Sequence, residues 1–208
     1  MSRLVNTGTA ERRTQEERSA STRQAVLDAT IACLIEHGYG GTTTTAIQER
    51  AGISRGALTH QYPSKNELLA AAIIHLADVR AAEMVATAER MPESEDTLET
   101  GLRVLWATFQ TDLFQAAIEL WVASRTDDDL HATLIEAERA IARQYHRSGA
   151  VLFGSSARLP GFARGMDSVV THMRGAALTA ILRRHHKDDE TIGECLVIMH
   201  QALAGGDA

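Results

Sequence analysis

Residues 38–69 read GYGGTTTTAIQERAGISRGALTHQYPSKNELL, and the punctuation of this stretch decides the fold. Its centre is Ala51-Gly52-Ile53-Ser54. Ala51 is small enough to let two helices cross closely. Gly52 supplies the left-handed conformation that ends a helix, which a residue with a side chain adopts at a cost. Ile53 returns an apolar group to a core, and Ser54 offers an oxygen to the free N–H groups of the next helix. Two short helices joined by so tight a turn form a helix-turn-helix, whose second helix enters the DNA major groove. A third, longer helix starts at once, because Pro63-Ser64 breaks the chain and Ser64 with Glu67 spells a capping box.

The same residues carry a resemblance. Gly38-Tyr39, Thr42-Thr43, Ile47, Ala51-Gly52-Ile53-Ser54, Gly56-Ala57-Leu58, Tyr62, Ser64-Lys65 and Glu67-Leu68-Leu69 resemble, as a spaced set, the N-terminal signature of TetR-family transcriptional regulators. The resemblance covers roughly residues 22–74 and departs at two places. The family often has an aromatic residue where this chain has Thr59, and an alanine where it has Gln48. Thr59 lacks the phenol that would reach a phosphate. The resemblance implies a ligand-responsive regulator, a repressor working as a homodimer on a double-stranded operator and released by a small-molecule effector. It further implies that Lys65 contacts phosphate and that the last two long helices pair across the dimer.

Composition agrees with helices and bounds the alternatives. The chain has 208 residues, 44% hydrophobic, with only three prolines, so it can bury a sizeable core. No apolar run is long enough to span a bilayer, and the polar start is unlike a signal peptide. Cys33 and Cys195 are too few and too far apart for a disulfide scaffold. A cytoplasmic protein without membrane contact is expected. The net charge of −6 is unevenly divided: residues 1–70 hold eight Arg/Lys against seven Asp/Glu, +1, which leaves −7 for the remainder. A weakly basic front can still bind DNA when backbone N–H groups share the phosphate contacts.

Periodicity lays out the rest. Residues 1–18 lack a hydrophobic period and read as a flexible arm whose arginines could reach a minor groove or simply be solvated. Leu27, Ile31, Leu34 and Ile35 make one face of a first helix that Gly38 stops, and Thr43 caps the second. The helix opened by Ser64 carries Leu69, Ile73, Leu76 and Val79 and is expected to run to about Arg90. Five more helices follow. Their stripes are Leu98, Leu102, Leu105, Phe109 and Leu113; then Phe114, Ile118 and Trp121-Val122; then Leu130, Leu134, Ile141 and Tyr145. Met166, Val170, Met173, Ala177 and Ile181 make the fourth, Ile192, Leu196, Met199 and Leu203 the fifth, with residues 154–161 as a loop. The expected fold is all-α: an arm at 1–18, a three-helix helix-turn-helix domain at 19–66, and a larger ligand-binding and dimerisation domain at 67–208.

The candidate DNA contacts are Thr43, Ser54, Arg55, Gly56, Ala57, Thr59, His60, Gln61 and Lys65. Arg55, in the first turn of the recognition helix, has the fork that pairs with guanine. Gly56 and Ala57 permit close approach, while Thr59, His60 and Gln61 can donate to phosphates or bases. Thr43 would hold a phosphate on the N-terminus of the second helix. Each polar residue taken alone also fits a solvated surface. Ile47, Leu58 and Tyr62 read as core. Met84, Trp106, Phe109, Phe114, Trp121, His172 and Met173 are candidates for the wall of an apolar ligand cavity, though large residues at helical spacing equally fit plain packing. His172 and Arg174 stand out as polar groups among apolar ones. Gly175, Ala176, Thr179 and Ala180 offer a small-residue face for the dimer.

His185-His186 with Asp188-Asp189-Glu190 reads as a solvated turn and cap, since adjacent histidines point apart on a helix, so no metal or other cofactor is expected. Arg139, Arg143 and Arg147 beside Glu136 and Glu138 read as a solvated, charge-paired face. Nothing resembles a nucleophile elbow, a Gly-rich phosphate loop or a catalytic carboxylate pair. Two other readings remain open: a DNA-binding dimer with no effector, and a small helical enzyme.

Overall fold

The computed structural model describes residues 15–90, 97–183 and 187–205. Within them the chain forms nine α-helices and one short 3₁₀ helix, with no strand. The order is α1 (Gln15–Gly41), α2 (Thr44–Ala51), α3 (Arg55–Gln61), α4 (Lys65–Ala88), α5 (Thr97–Phe109), α6 (Asp112–Ala123), α7 (Asp128–Leu152), the 3₁₀ helix Gly154–Arg158, α8 (Phe162–Arg183) and α9 (Asp188–Ala204).

Local chemistry sets the boundaries of the first four. Thr43, Ser54 and Ser64 each cap a helix, accepting from the backbone N–H of Ala46, Ala57 and Glu67 at 3.1–3.2 Å. Each such bond removes one of the orphan donors at a helix start, worth about 1 kcal/mol. Gly52 closes α2 in the left-handed region, φ 68°, and its N–H and that of Ile53 satisfy the last carbonyls. Gly38 interrupts α1 with φ 64° and ψ −176°, a conformation essentially confined to glycine. The capping box differs from its usual form, for the Ser64 hydroxyl donates to the Glu67 carboxylate at 3.2 Å.

Several boundaries depart from the sequence reading. Residues 15–18 already belong to α1, so the helix continues into the expected arm, whose residues 1–14 lie outside the described chain. The helix α4 ends at Ala88, two residues before Arg90, which lies in a turn. The stripe drawn from Leu98 to Leu113 crosses a break: Thr111 caps a separate helix, and Leu113 falls in α6. Residues 154–158 are a 3₁₀ helix rather than open loop. Ile35, Val79, Val122 and Ile181, drawn on apolar stripes, are exposed.

Three apolar clusters hold the helices, and α4 contributes to all of them. Its Leu68 and Ala72 join Val26, Cys33, Ile47 and Leu58 around the helix-turn-helix. Leu69, Ile73 and Ala77 pack with Leu34 of α1, Leu120 of α6 and Leu130, Leu134 and Ile141 of α7. Met84 enters the largest cluster, with Leu105, Phe153, Phe162, Val169, Met173 and Met199. Ile47 and Leu58 are essentially inaccessible, and burying each contributes about 1.5–3 kcal/mol. At 24 residues α4 is about 36 Å long, so a rigid rod runs from the helix-turn-helix to the far core. Cys33 and Cys195 are both buried and free, and burial pushes the Cys195 thiol up to about 11, leaving it a neutral packing group.

The break at Gly38 is not interchangeable with its neighbours. A Cβ there would land on the Glu119 carboxylate in a backbone region closed to L-residues, whereas one at Gly40 meets nothing within 4 Å. Gly38→Ala is therefore expected to cost about 2 kcal/mol or more in thermal or denaturant unfolding, and Gly40→Ala no more than about 0.5 kcal/mol. Equal effects would show that the Gly38 conformation is not what the fold requires.

Candidate nucleic-acid interface and cavity

The helix α3 presents one exposed face made of Arg55, Gly56, Thr59 and His60, with Ser54 at its start. Ala57 and Gln61 are half-buried on its flank, so the exposed face is narrower than the nine-residue set suggested. Thr43 is exposed at the start of α2. Arg50 is committed elsewhere: its guanidinium grips Glu36 of α1 through two bonds of 2.7 and 2.5 Å, fixing α2 against α1. That carboxyl is held below its ordinary range by the Arg50 hydrogen bonds.

Lys65, expected to contact phosphate, is engaged within the fold. Its ammonium donates to the Tyr39 carbonyl at 2.9 Å and lies 4.2 Å from the centre of the Tyr39 ring. Burial holds its pKa below the usual lysine value, with Asp127 acting in opposition. Tyr39 completes a joint. Its N–H donates to Glu119 of α6 at 2.8 Å, and its hydroxyl donates to Asp127 at 3.2 Å. Asp127 in turn caps α7, accepting from the Leu130 N–H at 2.8 Å, and this bond, chiefly, with those from Tyr39 and Asn66, lowers its pKa. One aromatic residue thus links the end of α1, the start of α4, α6 and α7.

Two pockets with part of their wall in common open among the helices that follow, a larger and a smaller lobe. The larger, about 240 Å³, is walled by Met84, Leu105, Phe109, Phe153, Met166 and Val170 among others. The smaller, about 70 Å³, lies among Ile73, Ala77, Phe114, Trp121 and Ile141. Phe109, Glu138, Tyr145 and Arg174 face both. Four of the seven proposed wall residues meet here: Met84 and Phe109 in the large lobe, Phe114 and Trp121 in the small one. The other three do not line either lobe, though Trp106 and His172 share the wall of a separate pocket of about 480 Å³ with Gly175, Ala176, Thr179 and Ala180. Met173 is wholly buried one position away from the wall. His172 turns to the other side of α8, where its ring sits 2.8 Å from Glu194 of α9. Trp106 sends its indole N–H 2.8 Å to Asp188, fixing α5 to the start of α9. Asp188 is thus spent on tertiary contacts, and Lys187, which precedes α9, makes no side-chain cap.

Glu138 overturns a sequence reading. It is no part of a solvated face, for it accepts from the Trp121 indole at 3.1 Å and from Arg174 at 3.2 Å, while Arg174 also lies 5.0 Å from the Trp121 ring. The signal was present in the pattern. Leu134, Glu138, Ile141 and Tyr145 follow i, i+4, i+7, i+11, which puts a carboxylate within an apolar stripe. Ile73, Ala77, Arg80 and Met84 do the same with a guanidinium. Among the described residues, no group of His, Cys, Asp and Glu could hold a metal, and His185 and His186 lie outside them. No described helix is long and apolar enough to cross a membrane.

Residues 26–72 match the family model described as bacterial regulatory proteins, tetR family. The regulator BetI of Burkholderia mallei is 30% identical over 162 residues, 74% of this chain and 81% of that protein. The chain belongs to the TetR family. Its members are DNA-binding transcriptional regulators and not enzymes, which removes the small-enzyme reading. The regulator CymR of Pseudomonas putida is 32% identical over 119 residues, 57% of this chain but only 59% of CymR's own length. At the level of fold, the multidrug binding protein EbrR complexed with ethidium superposes with a TM-score of 0.59 at 18% identity, covering 85% of this chain and 97% of that one.

Two substitutions separate the roles on this surface. Arg55→Ala is expected to lose about 1–3 kcal/mol on the best DNA site and far less on random DNA, measured by titration on both; equal losses would make Arg55 a backbone contact. Lys65→Ala is expected to lower the dependence of log affinity on log salt by about 0.9 and the unfolding free energy by about 1 kcal/mol. A lowered stability with an unchanged salt slope would leave Lys65 as the Tyr39 clamp alone.

Proposed function

We propose that the protein is a cytoplasmic repressor that binds its operator as a homodimer and is released by a small molecule lodged in the two-lobed cavity. On this reading residues 19–66 are the DNA-binding domain, following an arm at 1–18, and residues 67–208 bind ligand and dimerise. The carrying observation is that α4 both starts beside the recognition helix, at Lys65, and supplies Met84 and Ile73 to the cavity walls. A ligand that repacks those walls must move or hold that rod. Successive major-groove faces lie about 34 Å apart, so a tilt of a few ångströms separates two recognition helices from simultaneous contact. The likeness of fold to EbrR, described as a multidrug binding protein complexed with ethidium, supports a small-molecule ligand for this chain. A regulator with no effector would have this space filled, and the open lobes of about 240 and 70 Å³ speak against that.

The dimer face proposed is the outer side of α8 and α9. The small residues expected there divide: Gly175 and Thr179 are exposed, Ala176 is half-buried, and Ala180 turns into the core. What stands out beside them is apolar. Leu182 is 89% exposed, and Leu178 of α8 and Val197 of α9 are each about half exposed. Together with Gly175, where a Cβ would meet nothing within 4 Å, they form a surface that water disfavours and a symmetry mate would cover.

Selection of bound DNA from a random pool, followed by release with small molecules, tests the function directly. A symmetric two-half-site consensus and ligand-dependent release are expected; an asymmetric single site, or release by none of a broad chemical set, contradicts the proposal. The double variant Leu178→Glu with Leu182→Glu is expected to fold, since both side chains are exposed, to sediment as a monomer, and to lose two-half-site binding. A stable dimer with unchanged operator affinity would place the interface elsewhere.

A further inference from the structure

We infer that the effector taken by this cavity is an apolar monocarboxylate, its carboxylate seated against Arg174 and Arg80 and its hydrocarbon body in the larger lobe. The inference rests on the effector reading above and names the chemistry of its site. The small lobe is lined by two guanidiniums, Arg80 and Arg174, and one carboxylate, Glu138. Both arginine Nε–H groups are buried and lack an acceptor. Buried donors almost always find partners, so two in one small lobe mark a place where an acceptor belongs.

Glu138 does not fill that place. Its two oxygens are each engaged, one by the Trp121 indole and the other by an Nη of Arg174. This arrangement holds the Arg174 side chain against the Trp121 ring while its Nε–H stays unused. Arg80 is likewise held from outside, its Nη1 donating to Glu83 at 2.6 Å. The Tyr145 hydroxyl, hydrogen-bonded to Thr108, lies within the fields of Arg174, Glu138 and Arg80, and burial raises its pKa, so it stays a neutral phenol. Planar guanidinium edges suit a carboxylate, and charge-assisted bonds of this kind are about twice as strong as neutral ones.

The opposite charge finds less support. The remaining acid on the wall, Asp167, is exposed and faces His146 at 3.9 Å, at the solvent side of the larger lobe. An amine drawn to Glu138 would have to lie against two guanidiniums. Beside the polar groups Glu138, Tyr145, His146, Asp167, Thr171 and Arg174, the larger lobe is lined by Met84, Leu105, Phe109, Phe153 and Val170, which suit an apolar body.

The test uses the full-length protein and calorimetric titration with benzoate, 3-phenylpropanoate and octanoate, each beside its primary amide and its amine. At least one carboxylate is expected to bind, more than tenfold tighter than its amide and its amine. Arg174→Met and, independently, Arg80→Met are expected to weaken that carboxylate at least tenfold. Binding of amines in preference, or of no carboxylate in the series, overturns the inference, as does undiminished carboxylate binding by Arg174→Met. The two readings fail separately: an amine that binds and releases DNA would end the carboxylate assignment while the effector reading stands. A carboxylate that binds as described without releasing DNA would leave this assignment intact and end the effector reading.

Discussion

The structure depends on how Tyr39 is held. Gly38 turns the chain out of α1 through a conformation that only glycine adopts freely, and Tyr39 then meets three residues through four contacts. Glu119 takes its N–H, Asp127 its hydroxyl, and Lys65 both its carbonyl and its ring face. The hydrogen bonds are individually modest, each worth about 0.5–1.5 kcal/mol. Their value is geometric, because they converge from α4, α6 and α7 on the end of the helix against which α2 and α3 pack. Without this joint the helix-turn-helix would remain attached through α4 and the packing of Leu34, but its angle to the rest would be less constrained.

On the proposed function, the same arrangement lets one chain serve two tasks. The exposed face of α3 is small and local, set by caps at Ser54 and Ser64 and by the buried Ile47 and Leu58. The cavity is built from helices far apart in sequence, α4, α5, α7 and α8 with the 153–162 corner. The rod α4 belongs to both, and Tyr39 ties its first turn to α6 and α7. On the proposed mechanism, ligand at one end of α4 and DNA at the other end are linked by the rigidity of that helix and by the joint near its start. The coupling is then an energy between two sites, equal in both directions.

The helix-turn-helix was legible because its determinants are local. Thr43, Gly52, Ser54 and Ser64 act on backbone groups within four residues, and each does in the structure what its type predicts. The cavity was legible only in part. Phe109, Phe114, Met84 and Trp121 were identifiable as large apolar residues, but which way a helix turns them depends on its neighbours. His172, Met173 and Arg174 are consecutive, and one pairs with α9, one is core and one faces the cavity. The charged residues in apolar stripes, Arg80 and Glu138, were the clearer sign. Their partners come from other helices, and a sequence does not show which stripes meet. Lys65 looked like a phosphate contact alone because its bond to Tyr39 spans 26 positions.

Glu119 gives the most direct measurement of the central claim, that the Tyr39 joint sets the angle of the reading helices. It lies on α6, exposed and away from the exposed face of α3, and its recorded task is to accept the Tyr39 N–H. Operator affinity of Glu119→Ala should be compared on a two-half-site duplex and on a single half-site. Binding to the paired sites should weaken by tenfold or more, with the single half-site unchanged, because each exposed α3 face stays intact while their relative angle is freed. Unchanged affinity for the paired sites would contradict it, and would place the control of the reading helices in α4 alone.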